Sequence, residues 1–221
     1  MGLARGGARR RQAGGATENR RRPGWWSSTL PWLLAACTAG AAGAEPVAEP
    51  AAAAGTGPGL AALAHLPAGL RPFCGRYAGT LRMHGPARVA EVPMQLVIEP
   101  LPPAASAGAA AACARFVLVY GQGEAAQVRD YRVLVRDAVR GDYAIDEQNG
   151  IVLPTRLVDG DLVSIFQVQG QLLVVRYSLR PEGIGFAIES FAAGAAVDAG
   201  QGVGAWSVVT SQRAVLRRSP D

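Results

Sequence analysis

An all-β domain, an antiparallel up-and-down meander closed into a barrel of about ten strands, is the fold this 221-residue sequence predicts. Three observations predict it. From Phe73 to Val208, apolar side chains recur at every second position, which gives each segment one face to bury and one to leave wet. Turn-forming residues interrupt that pattern about every 8–12 positions, the rhythm of short strands joined by local reversals. No helical period within the patterned region is long enough to support a βαβ crossover.

The strands follow in order. In 74–83, Phe73, Tyr77, Leu81 and Met83 share a side opposite Arg76, Thr80 and Arg82. In 89–99, Val92, Met94, Leu96 and Ile98 oppose Glu91, Gln95 and Glu99. In 114–121, Phe116, Leu118 and Tyr120 make the stripe; in 127–137 it is Tyr131, Val133 and Val135. Strands 141–147 and 151–157 are separated by Asn149-Gly150, and 151–157 and 161–169 by Asp159-Gly160. Both dipeptides tolerate the positive φ that tight hairpin turns require. In 171–180, Leu173, Val175, Tyr177 and Leu179 alternate with Arg176, Ser178 and Arg180. Ile184, Phe186 and Ile188 continue in 183–192, and Trp206 and Val208 open the last strand, 203–215. An open meander of this length leaves two unpaired edges, and closure removes them. A two-sheet sandwich is the alternative, disfavoured because every reversal is local. A membrane-spanning barrel is disfavoured because aromatic girdles are missing.

Ahead of the barrel, seven arginines in the first 22 residues precede an apolar run from Trp25 to Ala36. That run is too short for a spanning helix, which needs about 20 residues. The order of charge, grease and small residues is that of an export signal. Leu34-Ala35-Ala36-Cys37 resembles the lipobox of bacterial lipoproteins, which implies a signal peptide over 1–36 and lipid on Cys37. Thr38, where an Asp resembles an inner-membrane retention signal, points to an outer-membrane anchor facing the periplasm. Ala42-Gly43-Ala44 is a second small-x-small site, and cleavage after Ala44 would instead release a soluble secreted protein. Residues 37–59 read as a flexible Ala/Gly/Pro tether with a reach of about 25 Å. Leu60 to Leu70 reads as a short helix within a pre-barrel segment, 60–72, that caps the barrel. The barrel then spans 73–216, with a tail at 217–221. Leu101–Ala112 reads as an Ala/Pro-rich loop between the second and third strands.

The formal charge of +5 belongs to the leader, because lysine is absent and the arginines cluster there. The mature chain is close to neutral, with no basic patch interleaved with aromatics, which argues against nucleic acid as a partner. The expected partners are a membrane, through the N-terminal lipid, and a small apolar ligand; a protein partner is not specified.

Gly75-Arg76-Tyr77-x-Gly79, followed by consecutive hairpins, resembles the opening of calycin-type barrels such as lipocalins and fatty-acid-binding proteins. A barrel of ten strands has interior room for a ligand. Tyr77 stands where lipocalins carry tryptophan. Nitrobindin-like barrels bind heme through a late histidine, and both histidines here, His65 and His84, come early, so no cofactor is expected. The stretch Tyr143 to Ile151 resembles uncharacterised bacterial lipoprotein barrels, which implies no activity.

Catalytic chemistry is not expected. His65 and His84 read as surface residues, and no metal-ligand cluster stands out. Asp146-Glu147 is the one adjacent carboxylate pair, read as solubilising acids beside a turn. Gly121-Gln122-Gly123 reads as a hairpin loop. Cys74 and Cys113 leave two readings open, a disulfide or two free thiols. The residues expected to line a cavity are Tyr77, Met94, Phe116, Tyr120, Tyr131, Ser164, Phe166, Tyr177, Phe186 and Trp206. The same aromatics would equally fill a dry core, which would make the domain a structural or protein-interaction module.

Overall fold

The computed structural model describes residues 63–87, 89–102, 111–194 and 196–220. The chain divides into two compact units, Met1–Ala39 and Gly40–Asp221. The first lies outside the described residues, and so do the expected signal peptide, the expected lipidation site Cys37, the expected tether and positions 103–110 of the Ala/Pro stretch. No helix among the described residues is long and apolar enough to cross a membrane.

Ten antiparallel strands close into a barrel. They are β1 (Gly75–His84), β2 (Val89–Pro100), β3 (Ala112–Tyr120), β4 (Gln127–Asp137), β5 (Asp142–Asp146), β6 (Val152–Val158), β7 (Asp161–Val168), β8 (Gln171–Arg180), β9 (Gly183–Ala192) and β12 (Val208–Arg218). Each pairs with its sequence neighbour, and β1 closes the ring by pairing with β12 as well as β2. The registers fix which residues share the interior: Gly79 faces Met94, Met94 faces Tyr120, and Phe116 faces Tyr131. Directly opposed residues lie on the same side of an antiparallel pair, so one inward stripe propagates round the ring.

The turns carry positive φ as hairpin geometry demands, with one adjustment. Asp159-Gly160 and Gln169-Gly170 are both left-handed pairs. At the β5–β6 reversal, Gln148 and Gly150 carry the positive φ, and Asn149 instead accepts a bond from the Ile151 amide at 3.0 Å.

Two expectations need correction. The last barrel strand starts at Val208 and runs to Arg218, not 203–215, because a small hairpin, β10 (Val197–Asp198) with β11 (Gly204–Ala205), precedes it. A register shift between Val208 and Thr210 then moves the inward stripe of β12 to Thr210, Gln212, Ala214 and Leu216. Trp206 and Val208 therefore stand outside the barrel wall, 51% and 54% exposed. The pre-barrel helix also does not reach Leu70: helical backbone ends at Ala64. Pro67 lacks an N–H and disfavours helix in the residue before it. The segment continues as turns and a 3-10 turn at Arg71–Phe73.

That segment still caps the barrel. Leu66, Leu70 and Phe73 are buried to 3% exposure or less. Arg71 steadies the turn by donating to the Leu66 and Ala64 carbonyls. Tyr77 ties cap to wall. Its hydroxyl lies 3.1 Å from the Phe73 carbonyl and accepts from Arg218 Nη2 at 2.7 Å, while Arg218 also donates to the Cys74 carbonyl and stacks on the Tyr77 ring. Gly75 leaves the room this needs: at φ 143° and against the Arg218 guanidinium, a side chain there would collide.

Candidate functional site

The barrel interior differs from end to end. Beneath the cap it is solid: Tyr77, Leu96, Ile98, Ala114, Val133, Tyr143, Ile184 and Leu216 are all nearly inaccessible. At mid-height, Phe116 meets Tyr177 edge-on at 5.1 Å, and Tyr177 meets Phe186 at the same separation. Phe116 belongs to β3 and Tyr177 to β8, so this trio crosses the lumen and forms a floor.

Above the floor, Met94, Leu118, Leu173 and Ile188 remain buried, but one arc of inward-facing residues is half-buried: Gln127, Arg129 and Tyr131 on β4, Tyr120 at the end of β3, and Glu147 after β5. Ile151, Leu153, Phe166 and Val168 continue the wall through β6 and β7, and Gln171 opens β8. Arg129 faces the interior because its register partner is the buried Leu118. Glu147 faces inward because it continues the phase of Tyr143 and Ile145, and Asn149 donates to its Oε2 at 3.3 Å.

The register places these groups together: Arg132 opposes Asp146, so Tyr131 and Glu147 follow as opposed inward positions, with Arg129 two residues along the same face. Burial pushes the Tyr131 phenol up to about 12, with the Glu147 charge adding and Arg129 opposing. Burial also raises Tyr120, and Tyr131 adds to that. Tyr177 is raised by burial first, then by Tyr120, Tyr131 and Glu147. Burial raises the Glu147 carboxyl against the Asn149 amide and Arg129. All three phenols therefore stay protonated near neutrality and present O–H donors beside one cation and one carboxyl.

The remaining interior polar groups are mostly paired. Ser164 and Thr155 share a hydrogen bond at 2.7 Å, as do Ser190 and Thr210. Gln171 differs: among the described residues its Oε1 is the one buried side-chain polar atom without a partner. An orphaned buried acceptor costs about 1–3 kcal/mol, which a donor from outside would recover.

Of the expected cavity residues, Tyr120, Tyr131 and Phe166 line the half-buried region, and Tyr177 and Phe186 lie in its floor with Phe116. Met94, 1% exposed, sits directly beside Tyr120 on the neighbouring strand. Ser164 points inward but is satisfied by Thr155. Tyr77 is spent in the cap, and Trp206 lies outside the wall, so neither lines a cavity. Sequence reading missed Arg129, Glu147 and Gln171. Phase alone marks them: Arg129 is in step with Tyr131, Glu147 with Ile145, and Gln171 with Leu173.

Cys74 and Cys113 are both free. Burial pushes their thiols up to about 11 and about 12, so both stay protonated at neutral pH. His65 and His84 are exposed, and among the described residues no group of three or more His, Cys, Asp or Glu is placed to hold a metal.

The outer wall carries a groove of about 800 Å³ across β8, β9, β12, β1 and β2. Its charges are largely answered within the wall: Arg82 pairs with Glu91 at 2.6 Å, Arg213 with Glu189 at 3.0 Å, and Arg176 with Asp161 at 2.7 Å. Exposed pairs of this kind add little to stability and leave little charge to recruit a ligand. The lumen is the stronger site.

The fold and this interior define a closed antiparallel barrel with one capped apolar end and one partly polar, half-accessible end. No protein-family model matches the chain, and no curated protein matches it either. Among solved structures it is similar to the S-type phycobiliprotein lyase from Guillardia theta, at 12% identity, a TM-score of 0.46, and coverage of 67% of this chain and 89% of that one.

Proposed function

We propose that this protein is an exported, lipid-anchored envelope protein whose barrel holds a small amphipathic ligand in the mouth half of its lumen. One observation carries the binding reading. The interior is fully buried beneath the cap, but above the Phe116–Tyr177–Phe186 floor the inward residues from the end of β3 round to the start of β8 are half-accessible, and there apolar walls meet a few polar groups. Enclosed apolar surface with a small number of converging polar groups is the ordinary composition of a ligand site. We read the role as carriage or sensing, because tyrosine hydroxyls held protonated beside apolar walls suit reversible binding of an amphiphile.

The anchoring part rests on Leu34-Ala35-Ala36-Cys37 behind the arginine-rich leader. Release of a soluble form at Ala44 is its alternative.

Native mass spectrometry of the protein purified from its own envelope tests both parts. The expected result is a noncovalent adduct of a small amphiphile and a mature N-terminus at Cys37 bearing diacylglycerol. An adduct-free barrel overturns the carrier reading and leaves the interaction-module reading in its place. An unmodified chain starting at Glu45 overturns the anchor.

A further inference from the structure

The mouth combines features that select among amphiphiles by their head groups. By register Tyr131 falls opposite Glu147, and Arg129 lies two residues from Tyr131 on the same inward face, so opposite charges share one half-buried space and the site is close to neutral overall. A ligand with a net charge would leave one of the two opposed by a like charge as water is expelled. A head carrying both signs would meet both.

The polar groups are also unevenly distributed round the ring. Tyr120 stands on β3, Arg129 and Tyr131 on β4 and Glu147 just after β5, while Gln171 stands on β8. Between them, β6 and β7 present Leu153, Phe166 and Val168, half-buried and apolar. A head lying across the mouth would therefore have polar partners at both sides and a greasy wall between them for its chain. Glu147 and Gln171 Oε1 are acceptors, and the Gln171 oxygen is buried without a partner. They call for N–H donors. A quaternary ammonium has none to give, whereas a primary ammonium has three.

Resting on the lumen as a ligand site, we propose that the mouth recognises a zwitterionic amphiphile with a primary ammonium. Its anionic oxygens face Arg129 and the tyrosine hydroxyls, its ammonium faces Glu147 and Gln171, and its chain lies along Leu153, Phe166 and Val168. The chemistry is that of an aminophospholipid head, whether the molecule is drawn from a membrane or met free.

Isothermal titration calorimetry of the full chain tests this with four probes held below their micellar concentrations. Three carry the same decanoyl chain on lysophosphoethanolamine, lysophosphocholine and lysophosphoglycerol heads; the fourth is phosphoethanolamine without a chain. The ethanolamine-headed lipid should bind about tenfold tighter than the other two lipids, because only it fills the donor and acceptor demands together. The chainless head should bind about a hundredfold more weakly, which marks the membrane lipid rather than the free head as ligand. Arg129→Gln should remove most affinity for all three lipids. Gln171→Leu, a milder change, should cut the ethanolamine preference to about threefold or less while leaving phosphocholine binding unchanged.

Equal binding of the three lipids, or preference for the choline or glycerol head, overturns the head-group assignment and leaves the lumen a ligand site. No binding of any probe also overturns it. In that case a small-molecule adduct in native mass spectrometry keeps the carrier reading alone, and its absence removes both.

Discussion

The two ends of this barrel are built from the same alternating pattern and finished differently. Beneath the cap, Leu66, Leu70 and Phe73 fill the opening, and Tyr77, Arg218 and Gly75 lock them to the wall. At the mouth the inward positions become Gln127, Arg129, Glu147 and Gln171, and aromatic rings stand with hydroxyls beside charge. The contrast teaches that closure and packing are separable. Strand pairing closes the ring along its whole length, but the inward positions turn from uniformly apolar to partly polar and half-accessible at one end.

The comparison breaks most visibly under truncation. Phe73 is 0% exposed, and Phe73→Ala should cost about 3–5 kcal/mol in urea or guanidinium unfolding. Phe166→Ala at the mouth removes the same ring from a half-buried wall and should cost about 1.5 kcal/mol or less. Similar losses at the two sites would mean the interior is packed alike throughout.

Acid titration separates the wall from the mouth by sign. On the outer wall, Arg115 grips Asp130 with Nε and Nη2 at 2.7–3.1 Å, and Arg132 adds a bond at 2.6 Å. Those bonds hold the Asp130 carboxyl below its ordinary value. Its stabilisation is thus present above the unfolded aspartate value and lost as pH falls through the lower folded one. Asp130→Asn should destabilise by about 1 kcal/mol at pH 7, with the difference from wild type vanishing in strong acid. Glu147 behaves oppositely. Burial raises its carboxyl, so the folded state holds that proton more tightly, and stability declines as pH climbs from the unfolded glutamate value through the folded one. Glu147→Gln should remove that decline and match or exceed wild-type stability at pH 7, by less than about 1 kcal/mol. Denaturation midpoints across pH read both.

Nearly all of the wall was legible in the sequence, because period-two alternation and glycine-bearing turns are local signals. Asp159-Gly160 marks its hairpin unaided, and nine of the ten barrel strands fall within about two residues of their expected ends. The tenth was misplaced because Val208 and Trp206 look in phase with the core, while the register shift before Thr210 comes from pairing with β9, a distant strand. The site was only partly legible. Tyr120, Tyr131 and Phe166 announce themselves as aromatics in phase. Arg129 and Glu147 share that phase, yet charge reads as a wet surface unless alternation is trusted over residue type. Which aromatics fill and which line is decided by the cap: Tyr77 becomes core because Arg218 and the Phe73 carbonyl reach it from elsewhere in the chain.

Hydroxyl-radical footprinting of the native protein, read by mass spectrometry at its five tyrosines, tests this difference between the two ends most directly. Tyr120 and Tyr131 should oxidise readily, whereas Tyr77 and Tyr143, 2% and 1% exposed, should be protected by about tenfold or more. Equal protection of all four, or faster oxidation of Tyr77 and Tyr143, would contradict a lumen open at one end and closed at the other.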